Sequence, residues 1–152
     1  MTNWCYNEIN IVGSDEEIDR FSYAVKGIDP FAFSALYPTP SSFKDDWYNW
    51  RIETWGTKWD PDVVDYYVTD GRLTIICYTA CDPPLAFLEN ASSDFPELRF
   101  EISYHEPDTR IAGYAEFEKG CEVHRYDCKD EEVSAILSEH GYEEDTLIGE
   151  RL

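Results

Sequence analysis

The sequence predicts an α+β fold, and three observations carry that prediction. Polar and apolar residues alternate over positions 3–12, Ser14 and Glu17 stand at capping-box spacing ahead of apolar residues on one helical face, and Asp70-Gly71 separates two β-branched runs. The chain has 152 residues, enough for one hydrophobic core and short for two, so a single domain over 1–152 is expected. With 43% hydrophobic and 16% aromatic residues, rings such as Trp47, Trp50, Trp55, Phe87 and Phe100 supply core volume that the single methionine does not.

The first strand places Cys5, Asn7, Ile9 and Ile11 on one face and Trp4, Tyr6, Glu8 and Asn10 on the other. Gly13 ends it, and a helix follows through Ile18, Phe21 and Val25 to Gly27. Residues 28–46 hold Pro30, Pro38 and Pro40, which bar a continuous helix, yet they also hold Phe31, Phe33, Leu36 and Tyr37, which must be buried. A packed loop is expected there. Tryptophans at 47, 50, 55 and 59 surround Gly56, which predicts a short helix broken at the glycine. Residues 63–68 and 72–79 read as a hairpin. Asp82 as cap, with Pro83 and Pro84 in the first turn, opens a helix through Leu85, Phe87 and Leu88. Residues 97–105 and 110–119 read as strands joined at Pro107-Asp108, 122–126 as a sixth strand, and Asp130 as the cap of a last helix with Val133, Ile136 and Leu137 on one face, ended by Gly141.

That order, strand, helix, two strands, helix, strand, is the split βαβ arrangement of a ferredoxin-like fold. The expectation is an antiparallel sheet with helices on one face, the other face solvated or covered by the proline-rich loop. A β-hairpin and a C-terminal helix extend it, and residues from about 121 to 152 form an acidic C-terminal extension.

Charge narrows the function classes. Asp and Glu number 32 against 12 Lys and Arg, giving a formal net charge of -20 and a pI near 4.2. A field of that sign repels phosphate backbones and anionic lipids, so direct nucleic-acid binding and membrane association are not expected. The opening residues lack the basic and apolar pattern of an export signal, and the apolar runs are too short to span a bilayer, so a cytoplasmic protein is expected, monomeric or a small homo-oligomer. Cys5, Cys77, Cys81, Cys121 and Cys128, an odd number, fit reduced thiols better than a disulfide framework.

The opening Asn3-Trp4-Cys5 with Asn7, the strand ending at Gly13, and above all Trp50-Arg51-Ile52-Glu53 followed by Trp55-Gly56-Thr57-Lys58-Trp59-Asp60 resemble the YubB-like ferredoxin-like family of small plasmid and bacteriophage proteins. The resemblance covers roughly the first two thirds of the chain. It implies a ferredoxin-like fold and a mobile-element setting, and assigns no activity or site residue.

Cys121, His124 and Cys128 suggest zinc ligands, but on a strand Cys121 and His124 point to opposite faces and no second ligand pair completes a site, so no metal and no cofactor are expected. His105, His124 and His140 sit in no catalytic signature, and His140 suits a helix C-terminus, so no catalytic residue is assigned. Asp60, Asp62, Asp65 and Asp70 lack the phosphate loop or basic clamp of a Mg²⁺ site.

Duplex DNA carries one negative charge per roughly 1.7 Å, so the net charge of -20 equals that of about ten base pairs. The expected function is therefore a non-enzymatic acidic protein that binds and inhibits a basic host defence protein handling nucleic acid, by DNA mimicry of the anti-CRISPR or anti-restriction kind. Glu131, Glu132, Glu139, Glu143, Glu144 and Asp145 form the densest acid run and are the first candidates for partner binding, with Asp60, Asp62 and Asp65 second. Two alternatives remain open. An interaction module would dock its partner on Trp50, Arg51, Trp55, Lys58 and Trp59, with acidity serving solubility. An enzyme would need a site that no local motif reveals.

Overall fold

Residues 3–142 are described by a computed structural model. The elements run β1 (Trp4–Val12), α1 (Asp15–Ala24), α2 (Phe33–Leu36), a single 3₁₀ turn (Ser41–Phe43), α3 (Trp47–Thr54), β2 (Asp62–Thr69), β3 (Arg72–Ala80), α4 (Leu85–Asp94), β4 (Arg99–Glu106), β5 (Ile111–Glu118), β6 (Cys121–Asp127) and α5 (Asp130–Glu139). The strands form one antiparallel six-stranded sheet in the order β2-β3-β1-β4-β5-β6. The protein is α+β, as its alternating and helical periods predicted.

Strand β1 lies between β3 and β4, and its core face is buried along its length. Cys5, Asn7, Ile9 and Ile11 are buried, and Ile9 is opposite Ile75 on one side and Ile102 on the other. Helices α1 and α4 cover this face through Ile18, Phe21, Phe87, Leu88 and Ala91. The aromatic layer interlocks by edges and tilted faces: Phe21 meets Phe95 and Phe100, and Phe33 meets Phe87 at 4.7 Å between centroids. Full burial of each such ring stabilises by about 1.5–3 kcal/mol before the entropy of ordering is counted.

The β2–β3 hairpin closes at Asp70-Gly71, with Thr69 opposite Arg72 and Gly71 at φ +71°, a conformation glycine adopts without penalty. On α1 the Ser14 hydroxyl accepts the Glu17 N–H at 3.2 Å, the expected cap. Two other caps differ from expectation. Pro84, not Asp82, stands at the N-cap of α4, with no side chain bonded there. Lys129, not Asp130, precedes α5, and the Glu132 carboxylate returns to accept the Lys129 N–H at 2.9 Å. In both cases the chain enters the helix one or two residues away from the acid that sequence spacing favours.

The segment 28–46 is packed, as its buried Phe31 and Phe33 require, but it also contains helix α2, a single turn that fits between the prolines. It packs on the helical face, where Phe31 and Phe33 meet Phe87, rather than over the opposite face. The opposite face is covered at one end by α5. Val133 and Leu137 bury against Ala112, and His140 contacts Tyr6 and His105, whose side chains leave the sheet away from the main core. Helices therefore lie on both faces, a correction to the expected one-sided arrangement. The expected sixth strand forms: β6 pairs with β5 from Gly113–Asp127 to Glu118–Cys121.

Candidate functional site

The acids singled out in the sequence do not converge. On α5, Glu131 and Glu139 are exposed, while Glu132 is held by the Tyr126 hydroxyl at 2.6 Å and by the Lys129 N–H. Both hydrogen bonds favour the charged form of Glu132 and lower its pKa. Glu143, Glu144 and Asp145 lie outside the described residues. Asp60 is tied to Ser34, accepting its backbone N–H at 3.0 Å and its hydroxyl at 2.6 Å, so it closes a loop rather than facing a partner. Asp62 and Asp65 are exposed on β2, an edge strand, and a bulge between Val63 and Asp65 shapes their placement.

Cations are placed differently. Arg20, Arg72, Arg99, Arg110 and Arg125 each pair with a carboxylate of this chain. Arg99 bridges Glu101 and Glu116 across the open face of the sheet, and Arg72 joins the same network through Glu101 at 3.4 Å. Arg51 is turned inward, with Nε donating to Thr39 at 3.0 Å and Nη1 to the Lys58 carbonyl at 3.0 Å, its plane lying over the rings of Trp47 and Trp55.

The tryptophan segment divides between core and surface. Trp55 is 1% exposed and donates its indole N–H to the Tyr37 carbonyl at 3.0 Å, which makes it a core residue and removes it from any docking surface. Trp50 is half-buried against Trp55. Trp59 is exposed, lies 6.2 Å from Trp4 and carries the Lys58 ammonium over its ring. Phe43, Trp47 and Tyr48 add exposed rings near α3.

Tertiary structure brings together residues that sequence spacing kept apart. His105 from β4 and His140 from the end of α5 meet at 4.4 Å, with Tyr6 stacked on His105 at 4.8 Å and Tyr142 edge-on at 5.6 Å. His105, His140 and Tyr6 border a cavity of about 340 Å³ that also touches Glu8, Cys128 and Glu139. A thiol and two imidazoles thus share a cavity, but their protonation runs against nucleophilic catalysis. Burial, then Glu132 and Asp127, raise the Cys128 pKa, while burial and then His140 lower that of His105 to about 4. Both groups are driven toward neutrality, the reverse of a thiolate–imidazolium pair. The only sequence signal for this cluster was the alternation that put Tyr6 and His105 on the face away from the core.

Cys121 opens β6 and Cys128 follows its end; a bulge in the β5–β6 register sets Cys121 and His124 opposite Glu118 and Glu116 on one face, a correction to the opposite faces expected of an unbroken strand, yet among the described residues no His, Cys, Asp or Glu group is arranged to hold a metal. A cavity of about 600 Å³ opens between the start of α4 and the ends of β4 to β6, walled by Ile52, Leu85, Ala86, Ile111 and Ala112 with Asp82, Arg110, Arg125 and Asp127. The Arg110 guanidinium reaches Asp130 and Ser134, leaving Nη1 buried without a partner. Burial and then Glu106 raise the Asp82 pKa. Since Arg110 and Arg125 are already paired with carboxylates, this cavity offers no net positive charge for a phosphate.

Among the described residues no helix is long and apolar enough to cross a membrane. No family model matches the chain, and no curated protein matches it. A solved structure of the protein api92 from Yersinia pseudotuberculosis, of family DUF1281, is similar to it with 17% sequence identity and a TM-score of 0.48, covering 55% of this chain and 30% of that one. This chain therefore spans less than a third of that protein, and the likeness carries no inference about activity.

Proposed function

We propose that the protein is a non-enzymatic acidic binding protein that engages a basic, nucleic-acid-handling host protein by presenting carboxylates where that partner expects phosphates. The observation that carries this reading is the disposition of charge. The chain has a formal net charge of -20, and its described arginines are consumed in ion pairs with its own carboxylates or, for Arg51, turned inward. Exposed acids such as Asp15, Glu16, Asp19, Asp62, Asp65 and Glu131 are left to dominate the field outside the protein. Such a surface attracts a basic groove and repels nucleic acid itself.

The element order from β1 to β4, together with the sheet order β2-β3-β1-β4, supports reading the first four strands as ferredoxin-like. Together with the resemblance of residues 50–60 to YubB-like proteins, this supports reading the protein as a product of a plasmid or phage that acts in the bacterial cytoplasm. There, inhibition of restriction or CRISPR machinery benefits the element. A second reading is favoured by the exposed rings of Phe43, Trp47, Tyr48, Trp59 and Trp4, which suit a partner that docks by aromatic contact.

The test is capture of partners by the purified protein from host lysate, washed at low and at high salt. A basic DNA- or RNA-binding protein released by salt supports the acidic reading. A partner that resists salt but is lost in Trp47→Ala/Trp59→Ala moves the function to the aromatic surface.

A further inference from the structure

The two edges of the sheet differ. At β6, Arg125 forms ion pairs with Glu122 and Asp127, and Tyr126 is held by Glu132, so charged and hydrogen-bonded side chains occupy most of that edge and Val123 is its exposed aliphatic residue. At β2 (DVVDYYVT) there is no lysine, arginine or proline, the residues that commonly blunt an edge, and Val64, Tyr67 and Val68 are 61%, 44% and 51% exposed. Every second residue of such a strand presents its N–H and C=O outward, available to another chain.

The bulge gives this edge a pattern. Asp62 is opposite Tyr78 and Val63 opposite Cys77, but the next pair is Asp65 with Ile76, leaving Val64 without a partner. Without that insertion, Asp62 and Asp65, three apart, would face opposite sides of the sheet. With it, Asp62, Asp65, Tyr67 and Thr69 share the open face, while Val63, Tyr66 and Val68 share the core face. A row of two carboxylates and a phenol thus runs beside the strand's outer backbone, where the Tyr66 N–H donates to Asp65 Oδ1 at 3.0 Å, a contact that an added strand would exchange for its own.

We propose that β2 is a docking edge for an extended basic segment of a partner, which adds as a seventh strand with lysine or arginine side chains over Asp62 and Asp65. Charge complementarity selects this occupant. A second copy of the chain would set Asp62, Asp65 and Asp70 against their own kind, and like charges across a strand pair are destabilising. The inference rests on the reading of a basic partner and adds the mode by which it is held.

Two synthetic decapeptides of equal positive charge test it, one alternating lysine with valine, the other with proline in place of the valines, which cannot pair as a strand. Affinity is read by fluorescence anisotropy and location by amide exchange. The alternating peptide is expected to bind, to slow exchange in β2, and to lose about tenfold in affinity in Tyr67→Lys and in Asp62→Asn/Asp65→Asn, whereas Asp15→Asn/Glu16→Gln on α1 changes it little. Equal binding of the proline peptide, or protection outside β2, overturns strand addition while leaving the basic-partner reading intact. Binding of neither peptide overturns both.

Discussion

The imidazole of His140, at the end of α5, rests on that of His105 in β4 with ring centroids 4.4 Å apart, and this contact joins the last described helix to the face of the sheet that the main core leaves open. His105 is 3% exposed and its Nε2 has no hydrogen-bond partner, so a proton there would be buried beside a second imidazole.

Stability should therefore depend on pH through His105. Burial, then His140, lower its pKa from 6.5 to about 4, so the neutral form that the fold requires is present above the unfolded value, and the stability it contributes is lost as pH falls from 6.5 toward 4. Tyr6, Glu8, Glu139 and Tyr142 also face this cluster. His105→Gln should lessen the acid loss by about 2 kcal/mol in urea midpoints compared across this range. Parallel profiles for variant and wild type would refute the assignment.

Trp55 and Trp59 should separate cleanly. Trp55→Ala removes a fully buried ring and the hydrogen bond to Tyr37, at a cost of about 3–5 kcal/mol in chemical denaturation. Trp59→Ala removes a ring that is 40% exposed and should cost about 1 kcal/mol or less. Similar losses at the two positions would mean that the segment packs as one unit.

Asn7 is fully buried on the core face of β1, where its amide donates to Thr79 Oγ1 at 2.9 Å and to the Cys5 carbonyl at 3.2 Å. Asn7→Ala strands the Thr79 hydroxyl's partner site and leaves a small void, with an expected loss of about 2 kcal/mol. A change under about 0.5 kcal/mol in the unfolding midpoint analysis would show that water replaces the amide.

Arg110 should fasten α5. Its guanidinium bonds Asp130 at 2.9 Å and the Ser134 hydroxyl at 2.6 Å across the start of that helix, from a backbone position with φ +55°. Arg110→Met is expected to speed amide exchange in α5 by about tenfold or more while leaving β1 and β3 protected. Unchanged exchange in α5 would place its anchoring wholly in Val133 and Leu137.

Much of the local structure was legible because it follows from short-range periods. Cys5, Asn7, Ile9 and Ile11 fall on one face by alternation, Ser14 and Glu17 meet by helical spacing, and Asp70-Gly71 turns the chain because glycine tolerates a positive φ. The α+β class, and the order of the elements other than α2 and the 3₁₀ turn, followed from such local signals. The net charge of -20 was equally determined, being a count.

Tertiary structure decided what distance along the chain conceals. Asp62 and Asp65 share a face only because a bulge between them adds a residue to β2, and a bulge depends on the register of a partner strand. Trp55 is core and Trp59 is surface although both sit in one aromatic run, because burial is set by what packs opposite each ring: Phe33 over Trp55, Trp4 at the rim beside Trp59. His105 and His140 meet because α5 crosses to the second face of the sheet, a placement that depends on Val133 and Leu137 finding Ala112. Local propensity determines which elements form, but the faces they bury and the charges they bring together arise from contacts between residues far apart in the chain, where no short-range spacing carries the information.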